Sequence, residues 1–386
     1  MTAPLDGIVV VALEQAVSAP FATRQLADLG ATVVKIERPD GGDFARSYDT
    51  KIGGTSSYFV WGNRGKHSVV LDLKDPDDRA RFDALVAGAD VFIQNLSPSA
   101  AERAGIQAAQ LVEKYPSLIA CEISGYGLGG PRTDDKAYDL AIQAEAGAIA
   151  LTGSEDEMSK VGFAAADIAS AMYALSSILA ALVRRERTGE GAAISVSMLE
   201  SLAEWTAPQV YASVADGVPP RRSARRHGSI APYGLYGLDD GRSVLVAIQA
   251  DHEWVAFSEQ VLGRPDLTRH PRYADNPSRI SAVDDLEVEI RAVFDSTPAA
   301  AILERLEQAR VAHAFVREPA EVWAHEQLSA RDRFMTVEIP GGTTTVYRPA
   351  LAISDCPPPS TSVPALGEHD AAVIDAITSR GRDRLA

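Results

Sequence analysis

Apolar positions in the first half of the chain follow two alternating rhythms. Unbroken β-branched or apolar runs at residues 7–13 (GIVVVAL), 32–37 (TVVKIE), 68–73, 90–95 (DVFIQN), 118–125 (LIACEISG) and 193–198 (AISVSM) predict strands. Runs without polar alternation mark strands covered on both faces. Between them, Pro20 opens a predicted helix that Gly30 ends. Residues 75–89 (DPDDRARFDALVAGA) read as an acid-headed helix, and another surrounds Leu111. Strands alternating with helices predict right-handed crossovers and an open, mainly parallel α/β sheet.

The longest helical stripe begins after three alanines. Ile168, Met172, Leu175, Leu179 and Leu182 recur at i, i+4, i+7, i+11 and i+14. Asp167 heads that stripe, so its carboxylate is expected at the helix mouth, near unpaired N–H groups and the positive end of the dipole. By pattern alone it reads as an N-cap, with a chemical role left open. RTGEG (187–191) stops the helix, and residues 200–214 predict another. The Gly/Pro break GVPPRR then marks a domain boundary near 216–222. The expected plan is a large α/β domain over 1–216, a smaller α+β domain over 217–310, and a segment 311–386 that returns to the large domain. Strands at 233–236 and 243–248 flank the turn LDDGR, and helices are predicted at 252–262, 283–294, 298–309 and, after CPPPSTSVP, near 368–378.

Composition narrows the function. Net charge is −16 over 386 residues, which argues against a general nucleic-acid or anionic-membrane surface. No run of about 18 uninterrupted apolar residues predicts a membrane span, and MTAPLDG lacks the marks of a signal peptide. A soluble cytoplasmic protein is expected. Two cysteines and seven scattered histidines, without HExxH, predict no disulfide framework and no metal. In a parallel sheet, ligands bind beyond the carboxyl ends of the strands. That rule puts Val17, Ser18, Arg38, Asn95 and the stretch 125–130 on one candidate rim. Neither GxGxxG nor GxxxxGK[ST] is present, and GYGLGGP (125–131) reads as a turn or a phosphate cradle.

PLDGIVVVAL, DLGATVVKIERPDGGD, NRGKHSVVLDLK, ADVFIQNLSP, ISGYGLGGP, AYDLAIQAEAG, the Asp167 helix and RTGEG occur in that order, and LGEH closes the series at 366–369. Together they resemble the family III CoA-transferases, the CaiB/BaiF group that includes formyl-CoA transferase. The resemblance implies a Rossmann-like large domain, an interlocked homodimer, and a CoA-transferase with acyl-CoA as substrate and no permanently bound cofactor. It makes Asp167 the nucleophile, which attacks the thioester and carries CoA as an aspartyl thioester. It also implies CoA contacts from Val17, Ser18, Arg38, Leu71, Lys74, Asn95, Leu96, Ser97, Arg103, Lys136 and Tyr138. Cations among them suit the phosphates of CoA.

The α-methylacyl-CoA racemases share the fold and the aspartate but pair it with a histidine where this chain has Tyr138. A phenol with a pKa near 10 is a poor substitute in two-sided proton transfer, so transfer is the leading reading over racemisation. A non-catalytic CoA-binding protein is the third alternative. The glycine loop of formyl-CoA transferase has no clear counterpart, and GSIAPYG (228–234) occupies the region where acceptor selectivity is expected. RRSARRH (221–227) reads either as a solvated linker or as a site in which Arg226 and His227 meet a small dicarboxylate such as succinate or mesaconate.

Overall fold

The computed structural model describes residues 2–370, 373 and 375–377. Six strands form one wholly parallel sheet: β1 (Val9–Leu13), β2 (Thr32–Glu37), β3 (Lys66–Val70), β4 (Val91–Gln94), β5 (Ile119–Ser124) and β6 (Ala192–Ser197). Their order is β3-β2-β1-β4-β5-β6, the doubly wound arrangement in which strand order reverses between β1 and β4. The sequence reading placed all six. It placed β2 to the residue, because Val33, Val34 and Ile36 leave no polar alternation to blur its ends. Both faces are covered, with Val10, Val33, Ile93 and Ile119 on one side and Val11, Val34, Phe92 and Ala120 on the other.

The helices of this half are α1 (Ser18–Asp28), α2 (Ser57–Asn63), α3 (Pro76–Gly88), α4 (Pro98–Arg103), α5 (Ala108–Lys114), α6 (Asp139–Glu145), the single turn α7 (Ala148–Leu151), α8 (Ala165–Thr188) and α9 (Met198–Asp216). α8 packs on α1, α6, β5 and β6. By length and composition it could cross a membrane, but Ala166, Ala169, Ala174 and Ile178 are fully buried in the sheet's core. Gly189 ends it in the left-handed region at φ 74°, its N–H donating to Arg185 O at 2.8 Å. Because α8 feeds the parallel strand β6, it runs opposite to the strands, and its N-terminus lies at their carboxyl-end rim.

The chain divides into two compact units, the first built from the described residues of 1–148, 160–211 and 330–386, the second from Ile149–Ser159 and Ala212–Ser329. In the second unit, β7 (Tyr233–Gly237), β8 (Ser243–Ala247) and β9 (Ala312–Phe315) form an antiparallel sheet. Its helices pack Leu286, Ile290, Phe294, Ile302 and Leu306 around Trp254 and Phe257. β9 belongs to this sheet, so the stretch just after residue 311 stays with the second unit. The return to the first unit comes with a hairpin, β10 (Phe334–Ile339) and β11 (Gly342–Tyr347). Met335, Val337 and Ile339 from it pack on Ala45, Phe59 and Val60. LGEH then docks on β3, with Gly367 N donating to Ser68 Oγ at 3.0 Å and His369 N to Ser68 O at 3.1 Å. Of the predicted last helix, residues 370, 373 and 375–377 are helical; 371, 372, 374 and 378 lie outside the described residues.

Candidate active site

At the reversal point, Asn95 follows β4 and faces the loop after β1. Its Oδ1 accepts Gln15 N at 2.9 Å, and its Nδ2 donates to Gln15 O at 2.8 Å and Ser18 Oγ at 3.1 Å. The side chain is thus occupied as a clamp across the crevice. Val17 and Ser18 are buried at the start of α1. Ala16, at φ 64°, is held in that conformation by Asp43 Oδ1, which accepts its N–H at 2.9 Å.

Beneath this loop lies a buried charge network. Glu14 Oε1 accepts Lys66 Nζ at 2.6 Å and Lys35 Nζ at 3.3 Å, and Lys35 also reaches Asp43 Oδ2 at 2.7 Å. Glu37 accepts from Arg46 at 2.7 Å and from Ser68 Oγ at 2.6 Å. Burial and the adjacent Lys35 push Lys66 down to about 7, against the pull of Glu14. Arg46 and Glu37 lock to each other, and Arg46 lies 3.8 Å over the Phe59 ring; its guanidinium is structural.

A cavity of about 190 Å³ opens above β1–β4, lined by Leu13, Gln15, Arg38, Leu71, Lys74 and Leu96 among others. Four of the expected CoA contacts (Arg38, Leu71, Lys74 and Leu96) therefore meet in one place. Arg38 sits 3.3 Å from Asp40 and 4.3 Å over the Phe44 ring, while Lys74 is exposed. Ser97, Arg103 and Lys136 are exposed outside this cavity. Ser99 N donates to Asp134 Oδ1 at 3.1 Å, which ties the start of α4 to the loop carrying Lys136.

Asp167 is the third residue of α8, within its first turn and not at its cap. Ala164 occupies the cap position and offers no side-chain acceptor. Asp139 supplies it instead: its Oδ1 accepts Ala166 N at 2.8 Å and Asp167 N at 3.3 Å. The N-cap reading of Asp167 is thereby corrected, because another carboxylate satisfies the orphan donors. The Asp167 carboxylate receives no hydrogen bond from a described residue, and it is half-buried. Burial first, then the neighbouring Asp139 charge, push it up to about 7. Gly125 helps set this geometry, since a Cβ there would lie 2.0 Å from Ala137 Cβ, on the chain leading into α6. Tyr138, beside Asp139, is 76% exposed.

Tyr48 was not foreseen. Its phenol is pushed up by partial burial and by the carboxylates of Asp43 and Asp167, and it meets Tyr58 edge-on at 5.7 Å. The only hint was its place just after the GGDFAR segment. In the second unit, the basic run is largely occupied. Arg226 and Arg221 share Asp284 at 2.9 and 3.0 Å, Arg221 also holds Glu155, and Arg222 donates to the carbonyls of Ala150, Ser154 and Glu155. His227 stacks on Tyr233 at 5.2 Å.

A doubly wound sheet with a cavity at the carboxyl ends of its strands is the ligand-binding arrangement of open α/β proteins, and here a carboxylate without a hydrogen-bond donor among the described residues stands at the start of α8. A profile of CoA-transferase family III matches residues 5–370, and the chain belongs to that family. It is 34% identical to acetyl-CoA:oxalate CoA-transferase of Acetobacter aceti, covering 96% of this chain and 95% of the relative. It is also 34% identical to succinyl-CoA:mesaconate CoA-transferase of Haloarcula marismortui, covering 96% of each. Among solved structures, a CaiB/BaiF family protein from Brucella suis superposes with a TM-score of 0.83 at 31% identity, over 98% of this chain and 100% of that one. The protein is a family III CoA-transferase, with CoA thioesters as substrates.

Proposed function

We propose that the enzyme moves CoA from an acyl-CoA donor to a free carboxylic acid through a covalent thioester on Asp167. The observation that carries this reading is the Asp167 carboxylate itself, unpaired at the first turn of α8 and raised to about 7. A carboxylate spent on capping would be shielded; this one is available, and its raised basicity favours attack. A carboxylate oxygen of Asp167 adds to the donor thioester carbonyl, and CoA thiolate leaves to give a mixed anhydride. The thiolate then attacks the Asp167 carbonyl carbon, releasing the donor acid and forming the aspartyl-CoA thioester. The acceptor carboxylate attacks that carbon, CoA thiolate leaves again, and its attack on the acceptor's acyl carbon yields the new thioester and free Asp167. The balance requires no redox group or nucleoside triphosphate.

CoA enters this reading over the β1–β4 crevice, with Arg38 and Lys74 toward phosphate and Leu71 and Leu96 against apolar parts. Val17, Ser18, Asn95 and Ser97 contribute through the backbone, while Arg103, Lys136 and Tyr138 close over the ligand from the exposed side. For the acceptor we favour a small dicarboxylate. Relatives are named for oxalate and mesaconate, and Arg225 is the member of the basic run whose side chain has no ion pair or hydrogen bond among the described residues. Arg226 and His227 remain neighbours of that cation. A cytoplasmic homodimer completes the proposal, supported by Tyr138, Phe163, Trp205 and Tyr211, large apolar side chains of the first unit that stand exposed in the single chain.

Incubation with acetyl-CoA or succinyl-CoA followed by hydroxylamine tests the chemistry. A hydroxamate on the peptide containing Asp167, absent in Asp167→Asn, supports the reading. No adduct together with solvent deuterium entering the α-carbon of the acyl group would replace transfer by racemisation.

A further inference from the structure

Gln143 is fully buried on α6, and both ends of its carboxamide are engaged. Its Oε1 accepts Val161 N at 2.9 Å, and its Nε2 donates to Asp139 Oδ2 at 2.7 Å and to Phe163 O at 3.2 Å. One side chain therefore grips the loop leading into α8 at two points and holds the carboxylate that caps α8. No other residue type does this isosterically. A carboxylate at 143 lacks the donor, and an apolar chain removes the partner of Val161 N–H and of one Asp139 oxygen. Freezing a glutamine in a core costs rotamer entropy and desolvation, and nothing in the packing of α6 requires an amide here.

We propose that Gln143 is a positioning residue for the reaction at Asp167, fixing the Asp139 carboxylate against the Ala166 and Asp167 N–H groups so that the Asp167 side chain stays unpaired. The inference rests on the nucleophile reading above. With Asp139 fixed, Asp167 keeps a negative neighbour and no competing donor. With Asp139 released, the Ala166 and Asp167 N–H groups lose their acceptor and the Asp167 carboxylate is free to turn back onto its own helix end. The titratable groups facing Asp167 are Asp139 from α6 and Tyr48 from the turn after Ser47; Tyr48 in turn faces Asp43, Tyr58 and Tyr138. Lys35 pairs with Asp43, while no cation is among the groups that set the Asp167 carboxylate.

The test is the rate of hydroxamate formation on Asp167 from succinyl-CoA, followed from pH 5.5 to 9 in wild type, Gln143→Met, Gln143→Glu and the double variant Asp139→Asn with Gln143→Glu. Wild-type rates should rise through about pH 7 as Asp167 ionises. In Gln143→Met the limb should move down by about one pH unit and the plateau fall about tenfold, because Asp167 is recaptured by the helix end. In Gln143→Glu two carboxylates meet, and activity should be lost above pH 7 and partly return near pH 6, where a shared proton restores the donor. The double variant reverses the polarity of that hydrogen bond, with the new amide at 139 donating to the new carboxylate at 143, and should recover a large part of the plateau. Thermal midpoints measured alongside separate this from simple loss of fold. An unmoved limb in every variant, or rates that only track the folded fraction, would overturn the inference while leaving the nucleophile intact. No adduct in wild type would remove both.

Discussion

Asp167 gives its backbone N–H to Asp139 at 3.3 Å, while its own carboxylate accepts nothing from a described residue. Two acidic side chains thus meet at one helix end with divided roles, one neutralising the orphan amides and the other left free. Asp139→Asn keeps an acceptor for those amides and removes the charge. The acid limb of kcat/KM should therefore fall from about 7 toward the ordinary carboxylate range, because the second-largest cause of the shift is gone. A pH–rate profile with a fixed donor checks it, and an unmoved limb would show that burial alone sets Asp167.

The same raised carboxylate has a cost in stability. Below its unfolded value Asp167 is protonated in both states. Between that value and about 7 the unfolded chain ionises first, so stability drains away as pH rises and stays low above 7. Asp167→Asn should accordingly be more stable than wild type at pH 8, by on the order of 1–3 kcal/mol once solvent access is allowed for. At pH 4 the two should nearly coincide. Urea titrations at the two values read this directly.

Arg38 and Lys74 line the cavity over β1–β4, and Asp167 is not among its lining residues. Arg38→Ala and Lys74→Ala should each raise KM for the acyl-CoA donor about tenfold with kcat little changed, the mark of binding shared by ground and transition states. Increasing salt should weaken the wild-type KM more than that of either variant. Equal KM for donor in all three would remove both residues from the site.

Glu14 bridges two buried ammonium groups and also accepts Thr23 Oγ1 at 2.6 Å. Glu14→Gln leaves Lys35 and Lys66 facing each other with Asp43 as the near counter-charge, and should cost about 3–5 kcal/mol near pH 6. Lys66 already sits at about 7 and would fall further without Glu14, so at pH 9 it can shed its proton and the penalty should shrink. Denaturant midpoints at both pH values distinguish this from a pH-independent packing loss.

Much of the parallel sheet was legible because its strands are covered on both faces. Val9–Leu13 and Thr32–Glu37 carry runs that no amphipathic helix would produce. The hairpin Phe334–Tyr347 was harder, since its second strand, GTTTVY, is polar and half-exposed and gives little periodic signal. Lys35 and Lys66 sit in strands as fully buried cations, and only the fold reveals that Glu14, 21 and 52 residues away along the chain, neutralises them. In the same way, Asp167 was legible as the head of a helix, but its cap, Asp139, lies 28 residues upstream. The run RRSARRH was legible as charge but not as commitment, because Asp284 and the carbonyls of residues 150–155 that absorb it are remote in sequence.

Asn95 takes up both backbone groups of Gln15. The floor of the crevice is therefore assembled when the chain folds, and the ordering entropy of the β1–α1 loop is lost then, before any thioester arrives. Under the proposed site CoA would meet a rigid socket there, so this part of the surface should exchange its amide hydrogens slowly whether filled or empty. On that reading, any movement that admits and releases acyl groups is expected elsewhere along the chain.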